Sequence, residues 1–223
     1  AYGQRIHHNL SRDKTSIELV ATPRGLANLV PNNTVMPSAD GRFNAYEVRG
    51  VTLTSSVTLP KPPAGFCYSV TPGEQIRMEA AGSPVLTIAD GTVVKLSGSS
   101  YFLSGETAAG ALRAKGVVFT SARDDTVNDT NGDGTATSPA PADWQGLYFY
   151  ANTIDAQAQL DSCTVRYAGG SGTASIRPSR ATARKAKSNR SRCRLRVTSS
   201  AGRCGLSPRR NFCAVSWARI VVS

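Results

Sequence analysis

The stretch Val85-Leu86-Thr87-Ile88, the turn Asp90-Gly91 and the stretch Val93-Val94-Lys95-Leu96 together indicate the fold of this chain. Apolar and polar side chains alternate within the stretches, which is the period of a half-buried β-strand. Similar short stretches, bounded by Gly, Ser, Asp or Pro, lie at residues 46–53, 57–59, 67–70, 75–79, 101–103, 111–114, 117–120, 145–149, 158–160 and 163–167. One short helix is predicted for residues 24–30, and no segment shows the apolar spacing of a longer amphipathic helix.

Equivalent residues in these stretches recur about every 25 positions. Leu86 and Leu112 are 26 residues apart, and Val93 and Val118 are 25 residues apart. One coil of a β-helix with three short strands has about this length. Each strand would pair in parallel with its counterpart in the next coil, about 4.8 Å along the axis, and the inward aliphatic side chains would stack into one core. The chain is therefore predicted to be an all-β parallel β-helix, or solenoid.

A polar excursion over residues 121–144 contains the acidic run 129–134, Asp-Thr-Asn-Gly-Asp-Gly. Oxygen-bearing residues at alternate positions followed by Gly are typical of a calcium loop. The predicted metal ligands are Asp129, Asn131, Asp133 and the carbonyl of Thr135. The alternative is a solvated turn, since Asn, Asp and Gly all favour turns.

The calcium pattern is incomplete because its twelfth position falls on Ala140 and not on a bidentate Glu. Another carboxylate is needed, for which Asp124, Asp125 and Asp143 are the candidates. Without it, calcium binding over residues 124–137 is expected to be weak, with a dissociation constant on the order of 10⁻⁴ M or poorer.

The set of stretches resembles the right-handed parallel β-helix repeat proteins of bacterial surfaces. The residues that carry the resemblance are Leu86-Thr87-Ile88, Gly91-Thr92-Val93-Val94-Lys95, Gly110-Ala111-Leu112, Val118-Phe119-Thr120-Ser121, the run 129–134, Asp143-Trp144-Gln145-Gly146-Leu147 and Arg166-Tyr167-Ala168-Gly169. The resemblance implies a secreted or cell-surface protein with a structural or adhesive role, and an extracellular glycan or surface polymer as its partner. The chain departs from the family at a very short turn, 114–116, and at residue 172, where the coil pattern stops. The solenoid is therefore predicted to be incomplete, and self-association through its exposed last coil is expected.

A polysaccharide lyase or hydrolase of the same architecture is the alternative function. Two neighbouring carboxylates can serve as acid and base, but Arg123 and Arg166 are the only bases near the loop and no His faces it. The aromatic residues at 144 and 148–150 could stack on sugars, although packing against the coils is the favoured interpretation.

The charge of the chain divides it into two parts. Residues 1–172 hold 13 basic and 15 acidic residues, whereas residues 173–223 hold 13 basic residues and no acid. Three domains follow: an irregular N-terminal segment or cap, 1–45; the coils, 46–172; and a basic, disordered or irregular tail, 173–223. The tail could bind nucleic acid or another anionic polymer. Because the change is abrupt and falls within a repeat, we favour a shifted reading frame, and nucleic-acid binding is not favoured.

The five cysteines form no C-x-x-C pair, so a zinc or redox motif is not expected. Cys67 and Cys163 are interpreted as two buried thiols. No run of 18 apolar residues exists, so no membrane-spanning helix is expected.

Overall fold

The computed structural model describes residues 19–35, 37, 42, 44–170, 176–178, 195–198 and 217–222. The strands are β1 (Leu19–Ala21), β2 (Ala45–Val48), β3 (Val51–Leu53), β4 (Val57–Leu59), β5 (Cys67–Val70), β6 (Gln75–Met78), β7 (Val85–Ile88), β8 (Val93–Leu96), β9 (Tyr101–Ser104), β10 (Ala111–Lys115), β11 (Val118–Ser121), β12 (Gly146–Phe149), β13 (Gln159–Asp161), β14 (Cys163–Arg166), β15 (Ile176–Pro178), β16 (Leu195–Thr198) and β17 (Trp217–Val222). One α-helix, α1 (Pro23–Asn32), and one 3-10 turn, Asp125–Val127, complete the described elements.

The strands wind into a β-solenoid of about four turns with three sheets. The first sheet has the order β1-β2-β5-β8-β11-β14-β17-β16, the second β13-β10-β7-β4, and the third β15-β12-β9-β6-β3. Each coil contributes one strand to each sheet, as in β5-β6-β7 and β8-β9-β10. The predicted all-β solenoid is confirmed.

The register between coils follows the spacing of the sequence. Leu112 pairs with Leu86, and Val118 pairs with Val93, both in parallel strands. Leu86 and Leu112 themselves, and the side chains that alternate with Val93 and Val118, belong to a continuous core. In this core Phe102 and Phe119 meet edge to face with ring centroids 5.7 Å apart. Burial of this apolar surface, at about 25 cal/mol per Å², is the main stabilising contribution.

The N-terminal end of the solenoid is covered by α1, in agreement with the helix predicted for 24–30. Thr22 caps the helix by accepting a hydrogen bond from the Gly25 backbone N–H at 3.3 Å, and Pro23 occupies its first turn. Leu26 and Val30 are buried and join the core of the first coil. Water is thereby excluded from this end of the coil stack. The predicted segment 1–45 extends beyond the described residues at 1–18.

The C-terminal part continues two of the sheets. Ile176 in β15 pairs in parallel with Leu147 in β12, so the third sheet extends past residue 172. β17 then pairs antiparallel with β14, and β16 pairs antiparallel with β17. Most of the tail, 173–223, lies outside the described residues. The prediction that it is disordered or irregular and the favoured shift of reading frame stay predictions, and nucleic-acid binding stays an alternative that is not favoured. Translation of the source gene in its other frames after codon 172 tests the shift of reading frame.

The two buried thiols agree with the interpretation from the sequence. Cys67 in β5 and Cys163 in β14 are both free and fully buried. Two strands, β8 and β11, separate them in the first sheet, which places them about 14 Å apart at about 4.8 Å per strand. Cys163 belongs to the core, whereas Cys67 alternates with the core residue Tyr68 and faces outward. This distance is too great for a disulfide.

Aromatic residues at the end of the polar excursion pack against the coils, in agreement with the interpretation favoured from the sequence. Trp144 is fully buried in the core, and its indole N–H donates to the Arg166 carbonyl at 2.8 Å. Tyr148 contacts Tyr101 with ring centroids 5.2 Å apart, and Phe149 packs on the core from its edge. These contacts fix the point at which the chain re-enters the coil.

Within the described part of the chain, no helix has both the length and the apolar character needed to cross a membrane.

Candidate functional site

Most of the polar excursion predicted over residues 121–144 is a loop of residues 122–143, here called the acidic loop, because Ser121 belongs to β11. This loop folds back over the outer face of the first sheet. The Asn128 side-chain amide donates to the Gly65 carbonyl at 2.7 Å, although 63 residues separate them. Arg42 forms a parallel bridge with Asp129, and its Nε lies 3.7 Å from a carboxylate oxygen of Asp129. The loop therefore runs from the fourth coil back towards the first.

Three carboxylates of the loop converge on one point. One oxygen from each of Asp125, Asp129 and Asp133 lies within 4.8 Å of the other two. Oδ1 of Asp125 and Oδ1 of Asp133 are both shielded from solvent and accept no hydrogen bond. Buried carboxylate oxygens without a partner are unfavourable, so they favour the binding of a cation here.

The Asp129 carboxylate also organises the loop backbone. Its Oδ1 accepts a hydrogen bond from the Gly132 N–H at 2.7 Å, and its Oδ2 accepts one from the Gly134 N–H at 2.9 Å. Both glycines have a positive φ, of 73° and 70°, which explains why the turn requires glycine. The loop is thus closed around Asp129 by its own backbone.

The other predicted ligands lie around this cluster. The Asn131 side-chain nitrogen donates to Asp133 Oδ2 at 2.9 Å, and the Thr137 hydroxyl donates to the same oxygen at 2.6 Å. Thr135 is exposed at the surface of the loop. The structure therefore brings together Asp129 and Asp133. The metal-ligand roles of all four residues, Asp129, Asn131, Asp133 and Thr135, stay predictions.

Of the three carboxylates considered for completing the site, only Asp125 belongs to the cluster. Asp124 is fully buried and accepts hydrogen bonds from the hydroxyls of Thr120 and Thr126, both at 2.5 Å. Its Oδ2 also lies 3.6 Å from Nη1 of Arg166. Asp124 therefore anchors the first end of the acidic loop to β11 and β14.

Asp143 anchors the other end of the loop. Its Oδ2 accepts hydrogen bonds from the Ser121 hydroxyl at 2.5 Å and from the Ala140 N–H at 3.0 Å. Its Oδ1 lies 3.5 Å from Nη1 of Arg123. Both arginines considered as catalytic bases, Arg123 and Arg166, are thus engaged in ion pairs with loop carboxylates.

A lysine that the sequence did not single out lies beneath the loop. Lys95 in β8 is fully buried, although its neighbours Val94 and Leu96 face the core and its own side chain faces outward. Its Nζ donates a hydrogen bond to the Asn128 carbonyl. Alternation alone predicts a solvated lysine at this position, because it cannot show that a distant loop covers the sheet.

The pKa values of Lys95, Asp125 and Cys67 are shifted by burial and by one another's charges. Burial lowers the pKa of Lys95, while the nearby Cys67, Asp125, Asp124 and Asp129 raise it. Burial raises the pKa of Asp125; Lys95 opposes this, and the neighbouring Asp129 adds to it. Burial likewise raises the pKa of the Cys67 thiol to about 12, so this thiol stays protonated and unreactive.

A second candidate site is a groove on the outer face of the second sheet, with a volume of about 360 Å³. Its lining consists of Ser56, Val57, Thr58, Val85, Thr87, Arg113 and Gln157. Thr58, Thr87 and Arg113 are register partners in successive coils, so their side chains form one row about 4.8 Å apart along the axis. Arg113 is exposed and makes no ion pair with any described carboxylate. The row thus combines hydroxyl groups with one available cation.

The third sheet bears an ion-pair network in which each charged group already has a partner. Arg77 Nε lies 2.6 Å from Glu79 Oε1, and its Nη2 lies 2.5 Å from Glu106 Oε2. Glu79 Oε2 accepts hydrogen bonds from the backbone N–H groups of Glu106 at 3.1 Å and Thr107 at 2.9 Å. Burial raises the pKa of Glu79, but the Thr107 hydrogen bond and the Arg77 guanidinium outweigh it and hold the pKa below its usual range. Since each group already has partners, this network stabilises a corner of the coil and offers no free ligand.

Comparison with known proteins finds no matching family model and no significant similarity to a curated protein or a solved structure.

Proposed function

We propose that this chain is a secreted or cell-surface β-solenoid of the bacterial-surface kind, with a structural or adhesive role, and that its acidic loop binds calcium. The observation that carries the calcium proposal is the cluster of Asp125, Asp129 and Asp133, with two buried oxygens that accept no hydrogen bond. Calcium prefers carboxylate and carbonyl oxygens, and the loop offers three carboxylates at one point. With three protein carboxylates and no bidentate Glu, weak binding with a dissociation constant on the order of 10⁻⁴ M is expected.

Calorimetric titration of the full chain with calcium tests this proposal. Asp125→Asn and Asp133→Asn each remove one ligand charge while keeping the size of the side chain, and each should weaken binding about 10-fold or more. Asp90→Asn is the matched control, because Asp90 is an exposed carboxylate outside the acidic loop that pairs with Lys115 at 3.7 Å. Absence of calcium binding at millimolar concentration, or equal binding by all three variants, would refute the proposal.

The adhesive role is proposed to involve an acidic glycan that binds in the groove of the second sheet. A linear polymer along the solenoid axis would meet Thr58, Thr87 and Arg113 in turn, with hydrogen bonds from the hydroxyls and an ion pair from the guanidinium to a uronate carboxylate. This site is separate from the acidic loop, which faces outward from the first sheet.

Binding of oligogalacturonate and of a neutral oligosaccharide of equal length distinguishes this role. Arg113→Met should abolish the preference for the acidic chain, whereas Arg49→Met, on an exposed arginine outside the groove, should preserve it. An unchanged preference in Arg113→Met would contradict the assignment of the groove. Cleavage of the uronic polymer that is lost in Asp129→Asn and Asp133→Asn would instead support the alternative, a polysaccharide-degrading enzyme.

A further inference from the structure

The outer face of the first sheet carries a charged lysine where a docked loop excludes water. Lys95 is fully buried, and its Nζ donates to the carbonyl of Asn128 in the loop. Asn128 is held at a φ of 130°, which side chains seldom adopt, and its own amide donates to Gly65. A strained backbone persists only where surrounding contacts impose it. The loop is therefore fastened to the sheet at this residue.

The position of Lys95 is electrostatically unusual. A buried ammonium group is unfavourable unless opposite charge and hydrogen bonds compensate it. Burial lowers the pKa of Lys95 overall, while the negative charges of Asp125, Asp124 and Asp129 act in the opposite direction and favour its charged form. The three carboxylates that favour its charged form, Asp125, Asp124 and Asp129, all belong to the acidic loop, so the loop is a source of compensation.

We propose that Lys95 is the resident cation of the acidic loop, which holds the loop docked on the first sheet when no metal is bound. Loss of the lysine charge would leave the clustered carboxylates without the buried cation that faces them from β8, although Arg166 would still pair with Asp124 at the first end of the loop. The part of the loop around Asn128 would then require a divalent cation to dock. The expected dependence on a divalent cation rests on the proposed calcium binding, whereas the role of Lys95 in holding the loop does not. The loop is consequently a permanently ordered surface and not one that calcium switches on.

Hydrogen exchange of the loop amides in the full chain tests this inference, in EDTA and in millimolar calcium. In the unmodified chain, we expect equal protection in both conditions. In Lys95→Met, protection in EDTA should fall about 10- to 100-fold, as for the loss of a charged hydrogen bond of about 1.5–3 kcal/mol. Calcium should then restore it. Lys115→Met is the matched control, because Lys115 is exposed and should leave the loop unchanged.

Each outcome decides one part of the inference. Equal loop protection in Lys95→Met and the unmodified chain in EDTA would overturn it. The inference would also be overturned if the loop amides of the unmodified chain were protected only in calcium. This second test does not depend on the folding of any variant. Loss of protection in Lys95→Met that calcium does not restore supports the latch but removes the calcium proposal. Unchanged protection of the β7–β10 amides shows that the coils have remained folded, and Lys95→Arg should restore part of the protection.

Discussion

The coils and the acidic loop are held together by different forces. The coils bury aliphatic and aromatic side chains that repeat every coil, as Leu86 and Leu112 do, and their partners lie about 25 residues away. The loop instead lies on the sheet through buried ions and hydrogen bonds, such as those of Lys95 and Asp124, to partners scattered along the chain. The difference teaches that one solenoid can combine an apolar core of repeating contacts with a surface element that depends on a few charged groups.

The largest expected effect is in the core. Phe119→Ala should lower the free energy of unfolding by about 3–5 kcal/mol, because it removes a fully buried ring that packs on Phe102 and leaves a cavity. Urea denaturation of the full chain measures it. Val118→Ala, at the partly exposed neighbouring position, should cost about 1 kcal/mol or less. Equal losses for the two variants would contradict the assignment of inward and outward faces.

The next effect sharpens the contrast between the loop and the coils. Asp124→Ala removes two hydroxyl hydrogen bonds and leaves Arg166 without this ion pair, so we expect a loss of about 2–3 kcal/mol. Hydrogen exchange should place this loss in the loop amides first. If the β7–β10 amides lost protection equally, the loop and the coils would be one cooperative unit and the comparison would fail.

A smaller effect depends on pH. Because the pKa of Glu79 is lowered in the folded chain, its contribution to stability is present above the unfolded pKa and is lost as the pH falls through the folded pKa. Glu79→Gln should therefore lower the free energy of unfolding by about 1–2 kcal/mol at pH 7. The difference should shrink on acidification through the carboxyl range. Denaturant midpoints of both chains across this range measure it, and a constant difference would contradict the assigned ion pair with Arg77.

The smallest effect concerns the re-entry of the chain into the coil. Trp144→Phe keeps most of the buried area but loses the hydrogen bond from the indole to the Arg166 carbonyl, so we expect a loss of about 1 kcal/mol. Thermal unfolding measures it. A loss as large as that of Phe119→Ala would show that this junction, and not the apolar stack, limits the stability of the coils.

Most of the fold could be predicted because it is periodic. The spacing between Val93 and Val118 predicted the register that the structure shows, and the boundaries of β4 to β14 agree to within about one or two residues. The predicted stretch 46–53 divides into two strands, β2 and β3, and β1 was not predicted. The helix over residues 24–30 was predicted, within a segment, 1–45, that was interpreted as irregular or as a cap. Ile176 was missed because the surrounding residues carry no strand alternation, although its partner Leu147 lies in the core.

The candidate site was predictable only in its chemistry. The alternation of oxygen-bearing residues pointed to Asp129 and Asp133, and Asp125 was one of three carboxylates considered. The contacts that place the loop, such as Asn128 with Gly65 and Lys95 with Asn128, join residues 63 and 33 positions apart. No repeat or motif encodes such pairs, since they depend on the path of a single insertion. A lysine between two core-facing residues gives no local signal of burial.

The acidic loop also shows how one coil of a solenoid can be lengthened without changing the spacing of its strands along the axis. In the first sheet 46 residues separate Val118 from its partner Thr164, whereas 25 separate Val93 from Val118, yet both pairs are neighbouring strands of one ladder. The additional residues leave at a corner and return at the next strand. Corners of this kind are therefore natural points for inserting foreign peptides, since an insertion there lengthens one coil while its neighbours keep their pairing.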